Sequence, residues 1–236
     1  MHAAHSASPR VLCGNLLKLI AAVAMVTDHV GLMFFPQYPI FRIIGRLAYP
    51  IFAFMIAEGC HYTKNRLRYF LSVFLLGAIC QTVYYVFAQD TYLNILLTFS
   101  CSIPIIYLLQ EWKSRNKLIF LVPFAASVAI VYVLNRHITI DYGFWGIMVP
   151  IFAALCYPPR GQKPDESHHW LCIGAFAIGL LLLAYASGGV QYYSLLTLPL
   201  LLLYSGKRGK GKFKYAFYLF YPLHLVFLQA IAWLLG

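Results

Sequence analysis

Scanned in windows of about 19 residues, the chain alternates long apolar runs with short polar breaks. The apolar runs fall near residues 15–35, 43–62, 69–89, 93–110, 117–135, 141–158, 169–187, 190–205 and 215–235. Each approaches the ~20 residues that a helix needs to cross a hydrocarbon layer about 30 Å thick. The pattern therefore predicts an all-α, polytopic integral membrane bundle of about nine transmembrane helices. The weakest break is "ASGGVQYY", between the seventh and eighth runs, so eight to ten spans stay open. Residues 1–12 read as a polar tail and residues 13–236 as one membrane domain, because the recurring runs leave no stretch for a separate soluble one. The first run has no preceding n-region and no small-residue cleavage site after it, and is expected to stay as an anchor. Pro50, inside the second run, is expected to kink it.

Composition agrees: 61% of residues are hydrophobic and 11% charged, against roughly 25% charged in a soluble domain, and the mean hydropathy is +0.73. The net charge of +11 raises the question of nucleic acid, but its distribution answers differently. With the amino terminus inside, all but Arg42, Arg46 and Arg136 of the 18 lysines and arginines fall on inside segments. That is the bias expected of loops facing a cytoplasm and an anionic leaflet. An N-in protein of the bacterial cytoplasmic membrane, with the lipid bilayer and not nucleic acid as its partner, is the expectation. The stretch "GKRGKGKFK" reads as a basic, glycine-rich topology anchor.

Several chemistries find no support. The six cysteines, at 13, 60, 80, 101, 156 and 172, have no C-x-x-C spacing and mostly sit in apolar runs, where a free cysteine acts as a small hydrophobe. Cys13 lies before an apolar run instead of after one, which argues against lipid attachment. Phosphate-loop, H-E-x-x-H, G-x-S-x-G and dinucleotide fingerprints are missing. His2 with His5 and His168 with His169 lack the carboxylate or thiolate neighbours of a persuasive metal site, so no metal is expected.

The ionisable residues expected near mid-membrane are few, and each costs at least about 2.5 kcal/mol there. They are Lys18, Asp28, His29, Arg46, Glu58 and His224. Lys18 and His29 are 11 residues apart, which returns them to nearly the same helical face with about 16 Å between them along the axis. A phosphate-bearing thioester such as acyl-CoA has the matching shape: anionic at one end, reactive at the tip of a thin arm. The lysine would hold the charge and the histidine, a natural general base near neutral pH, would meet the chemistry. Asp28 points about 100° away from His29 and is expected to pair with an arginine of a neighbouring helix, Arg46 being nearest. Arg42 and Arg46 share a face at i, i+4 and together suit an anion. Glu58 is placed to neutralise Lys18, and His61 is expected at the interface. Tyr221 and His224 share a face of the last run, bent by Pro222, at a depth approaching that of His29. Asn94, Asp141 and Tyr142, in outward loops, could recognise an acceptor or simply cap and anchor helices.

Taken in order, "LLKLIAAVAMVTDHVG", "RIIGRLAYPIFAFMIAEG", "LNILLTF", "DYGFWGI", "YSGKRG" and "FYLFYPLHLVFL" resemble the TraX family of membrane acetyltransferases, known for N-acetylating pilin, over about residues 15–230. Lys18 and His29 are also similar to the basic-x10-histidine signature of the wider transmembrane acyltransferase group. The resemblance implies a bundle of nine to ten helices with His29 as the catalytic residue, supported by Asp28 and His224, and acetyl-CoA as acyl donor. It implies Lys18, Arg42 and Arg46 as cofactor contacts, although this topology sets the two arginines toward the outer face; Glu58, placed beside Lys18 by the residue reading, is counted with them. Asn94, Asp141, Tyr142 and Tyr221 would meet the acceptor, an extracytoplasmic amine or hydroxyl such as a pilin-type amino terminus. The rival expectation is a proton-coupled carrier using Asp28, His29, Glu58 and His224 as a relay, and a weaker one a non-enzymatic membrane scaffold.

Overall fold

The computed structural model describes residues 10–89, 91–115, 117–210 and 214–235. The polar tail and the His2–His5 pair thus lie outside the described residues, apart from residues 10–12 of that tail. Among the described residues ten α-helices follow one another: α1 (Gly14–Phe34), α2 (Pro39–Gly45), α3 (Ala48–Tyr62), α4 (Arg66–Ala88), α5 (Ile95–Arg115), α6 (Leu118–Leu134), α7 (Gly143–Leu155), α8 (Glu166–Ser187), α9 (Thr197–Leu202) and α10 (Lys214–Leu235). A 3₁₀ segment, Gly189–Leu196, precedes α9. Each of the nine apolar runs is helical. Among the described residues, α1, α2 with α3, α4, α5 and α8 are long and apolar enough to cross a membrane, while the other runs form shorter apolar helices.

Two runs depart from continuous helices, and both departures matter. The second run is broken, not merely kinked. A proline ring within a helix collides with the carbonyl four residues earlier, which for Pro50 belongs to Arg46. The helix accordingly stops at Gly45 and restarts at Ala48, with Arg46 and Leu47 held by tight turns to Ile43 and Ile44. Pro50 then sits harmlessly in the first turn of α3. The eighth run begins as the 3₁₀ segment after Gly188 and Gly189, both at positive φ, and turns a buried glutamine, Gln191, into the bundle.

The core is built from α3, α5, α7 and α8, with Phe54, Phe99, Ile147 and Phe176 among its fully buried side chains. Outside it the pattern inverts. No described side chain of α6 is buried, and α4, α6 and α10 turn Leu75, Ile79, Val122, Ile130, Leu223 and Phe227 outward. A sheath of exposed apolar side chains this wide is a surface for lipid. Capping is local and legible: Asn65 accepts from the Arg68 N–H at the start of α4 and Asp165 from the His168 N–H at the start of α8.

Interhelix contacts gather the basic segments at one end. Arg10 pairs with Glu166 at 2.8 Å, Arg66 with Glu111 at 2.5 Å, Lys113 bonds the Leu155 and Tyr157 carbonyls, and Arg160 reaches the Lys64 carbonyl at 3.4 Å. At the far end, loop 89–94 is tied to loop 135–142 by Leu93 N–H to Thr139 O (3.0 Å) and Asp141 N–H to Leu93 O (2.9 Å).

Candidate functional site

Two cavities lie end to end in the bundle. The inner one, about 530 Å³, opens at the basic end between Asn15, Lys18, Glu58 and Arg208. Its walls are mostly apolar, including Met55, Val73, Leu76 and Phe99. The outer one, about 420 Å³, is lined by Asp28, His29, Arg42, Arg46, Asp141 and Tyr142. Met25, Phe52, Ile95 and Tyr221 line both, so these four side chains form the waist where the cavities meet.

Close packing of α1 on α2 positions the outer group. A Cβ on Gly31 would fall 2.2 Å from that of Phe41, and one on Gly45 only 2.0 Å from Asp28 Oδ1. Glycine at both positions lets α2 lie against α1, and Asp28 presses on the end of α2. There it accepts from Arg42 Nη1 at 2.7 Å and from Arg46 Nη2 at 3.4 Å. The helix break aims Arg46 inward, where Nη1 also donates to Tyr142 Oη (3.2 Å) and Gln191 Oε1 (3.1 Å). Tyr142 in turn stacks on Tyr49, centroids 4.1 Å apart. The anion that the two arginines grip is thus Asp28 itself. In the neighbouring loop, burial pushes the Asp141 carboxyl up to about 7, against the opposing pull of Arg46.

His29 lines the outer cavity and is backed by a second histidine that does not. His224 Nε2 lies 3.3 Å from His29 Nδ1, and His224 Nδ1 lies 3.1 Å from the Phe220 carbonyl. A carbonyl only accepts, so His224 Nδ1 carries its proton and, in the neutral ring, Nε2 is a lone pair. His29 Nδ1–H then donates to it. The Met25 carbonyl, a second hydrogen-bond partner of His29, is likewise an acceptor. The His224 contact thus selects the Nδ1–H tautomer of His29, which leaves Nε2 as an acceptor, with Tyr84 Oη 3.5 Å away. His224 is clamped by stacking on Phe220, centroids 5.2 Å apart, and edge-on against Tyr221.

The other expected residues divide between the two ends. Lys18 and Glu58 share the inner mouth, where Glu58 accepts from Tyr204 Oη at 2.7 and 2.8 Å. Arg42 and Arg46 are at the opposite end, so the structure does not bring them together with Lys18 as one cofactor site. Asn94 is occupied internally: its amide donates to Gly77 O and Gln81 Oε1, and its Oδ1 accepts from Leu96 and Leu97 N–H. That is a helix cap. His61 is buried and stacks on Tyr157, and His168 Nδ1 bonds Asp165 at 2.6 Å. Among the described residues no group of three or more His, Cys, Asp or Glu is placed to hold a metal ion. Tyr84, Gln191, Tyr49 and Tyr204 escape the sequence reading. Gln191 alone carries a usable signal, a polar side chain in an apolar run.

Three comparisons bear on this arrangement. The family model described as TraX protein matches residues 13–232. The chain is 31% identical over 240 residues to the probable fimbrial assembly protein FimC, serogroup H1, of Dichelobacter nodosus, covering 90% of this chain and 92% of that one. It is 40% identical over 67 residues to an uncharacterised protein of Rickettsia prowazekii (strain Madrid E), covering 28% of this chain and 25% of that one. No solved structure matches. The chain belongs to the TraX family.

Proposed function

Starting from membership of the TraX family, we propose that this protein is a membrane acyltransferase that moves an acetyl group from cytoplasmic acetyl-CoA to an amine or hydroxyl of an extracytoplasmic acceptor. A pilin-type amino terminus is the acceptor that best fits a family linked to pilin acetylation and a relative named for fimbrial assembly. The observation that carries the reading is the junction of an inner, basic-mouthed cavity with an outer, polar one lined by His29, whose Nδ1 is engaged by His224 and whose Nε2 has the Tyr84 hydroxyl 3.5 Å away.

In this reading the basic end faces the cytoplasm, and Lys18 and Glu58 flank the donor where it enters. The acceptor sits in the outer cavity, beside Asp141, Tyr142 and Tyr221. His29 Nε2 takes the proton of the acceptor N–H or O–H as that atom attacks the thioester carbonyl. Collapse of the tetrahedral adduct breaks the C–S bond, and the imidazolium returns its proton to the departing CoA thiolate. His224 holds the His29 tautomer, as second partners do for catalytic and metal-bound histidines. Asp28 fixes the arginines that frame the pocket. Water held out of the waist suppresses hydrolysis of the thioester.

The test uses purified protein, labelled acetyl-CoA and a peptide with a free amino terminus. His29→Ala is expected to abolish label transfer while CoA binding persists. Retained transfer by that variant overturns the assignment. The carrier alternative draws on the same two cavities and expects substrate or proton flux in proteoliposomes, where the acyltransferase reading expects none.

A further inference from the structure

A topology anchor needs only to stay on one side of the bilayer, yet residues 203–210 are fastened to the start of α1 almost residue by residue. Leu12 N–H donates to Leu203 O at 3.0 Å and Ser205 N–H to Leu12 O at 2.8 Å. Gly14 N–H then donates to Lys207 O at 2.8 Å and Asn15 N–H to Arg208 O at 3.0 Å. The Asn15 amide adds a bond to Lys210 O at 3.2 Å. The first free N–H groups of α1 are thereby satisfied by the loop, and the loop is held in one register. Gly206 and Gly209 adopt positive φ, +68° and +90°. A Cβ on Gly209 would fall 2.6 Å from Cys13 Sγ, so glycine is needed for this close docking.

The result is a rim with one sign of charge. Gly14, Asn15, Lys18, Gly206 and Arg208 line the mouth of the inner cavity, with Lys207 and Lys210 beside them. Neither residues 10–18 nor residues 203–210 contain an acidic side chain. The carboxylate inside the mouth, Glu58, is engaged by Tyr204 from the same loop. Arginine and lysine projecting from a rigid backbone suit a group with several anionic oxygens.

We infer that this rim is a phosphate-binding subsite, with Arg208 its principal contact, which takes the nucleotide end of the acyl-CoA donor. The inference rests on the acyl-CoA reading above. Its ligand chemistry, a phosphate ester, is shared with anionic lipid headgroups, but Arg208 and Lys18 line a cavity that leads to the waist and His29. The same loop thus sets topology and selects a phosphorylated donor over a bare thioester.

The experiment compares binding of acetyl-CoA and of S-acetylpantetheine, which lacks the nucleotide phosphates, to full-length protein in nanodiscs of phosphatidylcholine alone or with phosphatidylglycerol. The wild type is expected to prefer acetyl-CoA, and Arg208→Gln to cut that preference about tenfold in both lipids. The Arg208 side chain is exposed, so its replacement leaves the core intact. Gly209→Ala, which keeps every charge but displaces the loop from Cys13, is expected to lower the preference in the same direction. An unchanged preference in both variants overturns the inference while leaving the acyl-CoA reading standing. So does an effect confined to discs containing phosphatidylglycerol, which assigns the phosphate to lipid. Failure of the wild type to bind acetyl-CoA at all defeats both.

Discussion

At the basic end, a half-buried carboxylate, Glu58, accepts from the Tyr204 hydroxyl inside a cavity walled largely by aliphatic and aromatic side chains. At the far end, Asp28 is gripped by two arginines, which are themselves tied to Tyr142 and Gln191. The inner cavity is shaped by packing and the outer one by a polar network in which nearly every group has a partner within the protein. On the reading proposed above, a passage for a long, thin donor needs shape and little chemistry, whereas a site holding an acceptor beside a base needs orientation, which hydrogen bonds among charged groups supply. His29 stands apart from that network, held through Nδ1 by His224 while it lines the outer cavity.

Four changes break or sharpen this contrast. The largest effect is expected at the junction, where His29→Ala should lower label transfer about 10²–10⁴-fold, the usual contribution of a general base. Next is the contrast between the two half-buried carboxylates. Asp28→Ala leaves two guanidinium groups without their anion and should cost about 3 kcal/mol, whereas Glu58→Gln, which keeps shape and an acceptor, should cost roughly 1 kcal/mol. Thermal unfolding in detergent reads both, and equal losses would erase the distinction between the two ends. His224→Phe should lower kcat about 10–100-fold with little change in KM. His224→Gln, whose amide oxygen can accept from His29 Nδ1, should recover part of that loss, and no recovery would reduce His224 to packing. The smallest effect lies outside the bilayer. Asp165 is held well below the usual carboxylate range by the His168 N–H, the Ser167 hydroxyl and the His168 ring. Its cap on α8 therefore contributes fully above about pH 4 and fades as pH falls through the lowered value. The melting difference between wild type and Asp165→Ala should shrink only in that acidic window.

Much of this was written in the one-dimensional pattern. Each of the nine apolar runs is helical because hydrocarbon leaves the backbone few other ways to satisfy its own hydrogen bonds. The charge bias separates the two ends for the same reason that Arg66 and Arg160 meet inside one loop cluster. Asp28 and Arg46 were legible as partners because a lone charge in an apolar run demands one. Pro50 announced a disturbance, although its placement four residues earlier, at Arg46, follows from the ring's collision with a carbonyl and not from the proline's own position. Pairings across great sequence separation were not legible. Glu58 with Tyr204 and Arg46 with Gln191 depend on which helices become neighbours, and helical periodicity describes one helix at a time. Asn94 lines the outer cavity, yet its oxygen caps α5 and its amide bonds Gly77 and Gln81 of α4, the capping alternative that its sequence setting already offered.

The two imidazoles that meet at 3.3 Å are separated by 195 positions. A ribosome adding about 5–20 residues per second needs roughly 10–40 s between making one and the other. During that interval α1 waits in the bilayer with His29 unpartnered by His224, and the pair forms only when α10 is inserted against it. Pairing of His29 with His224 is therefore among the late contacts to form as the chain is made.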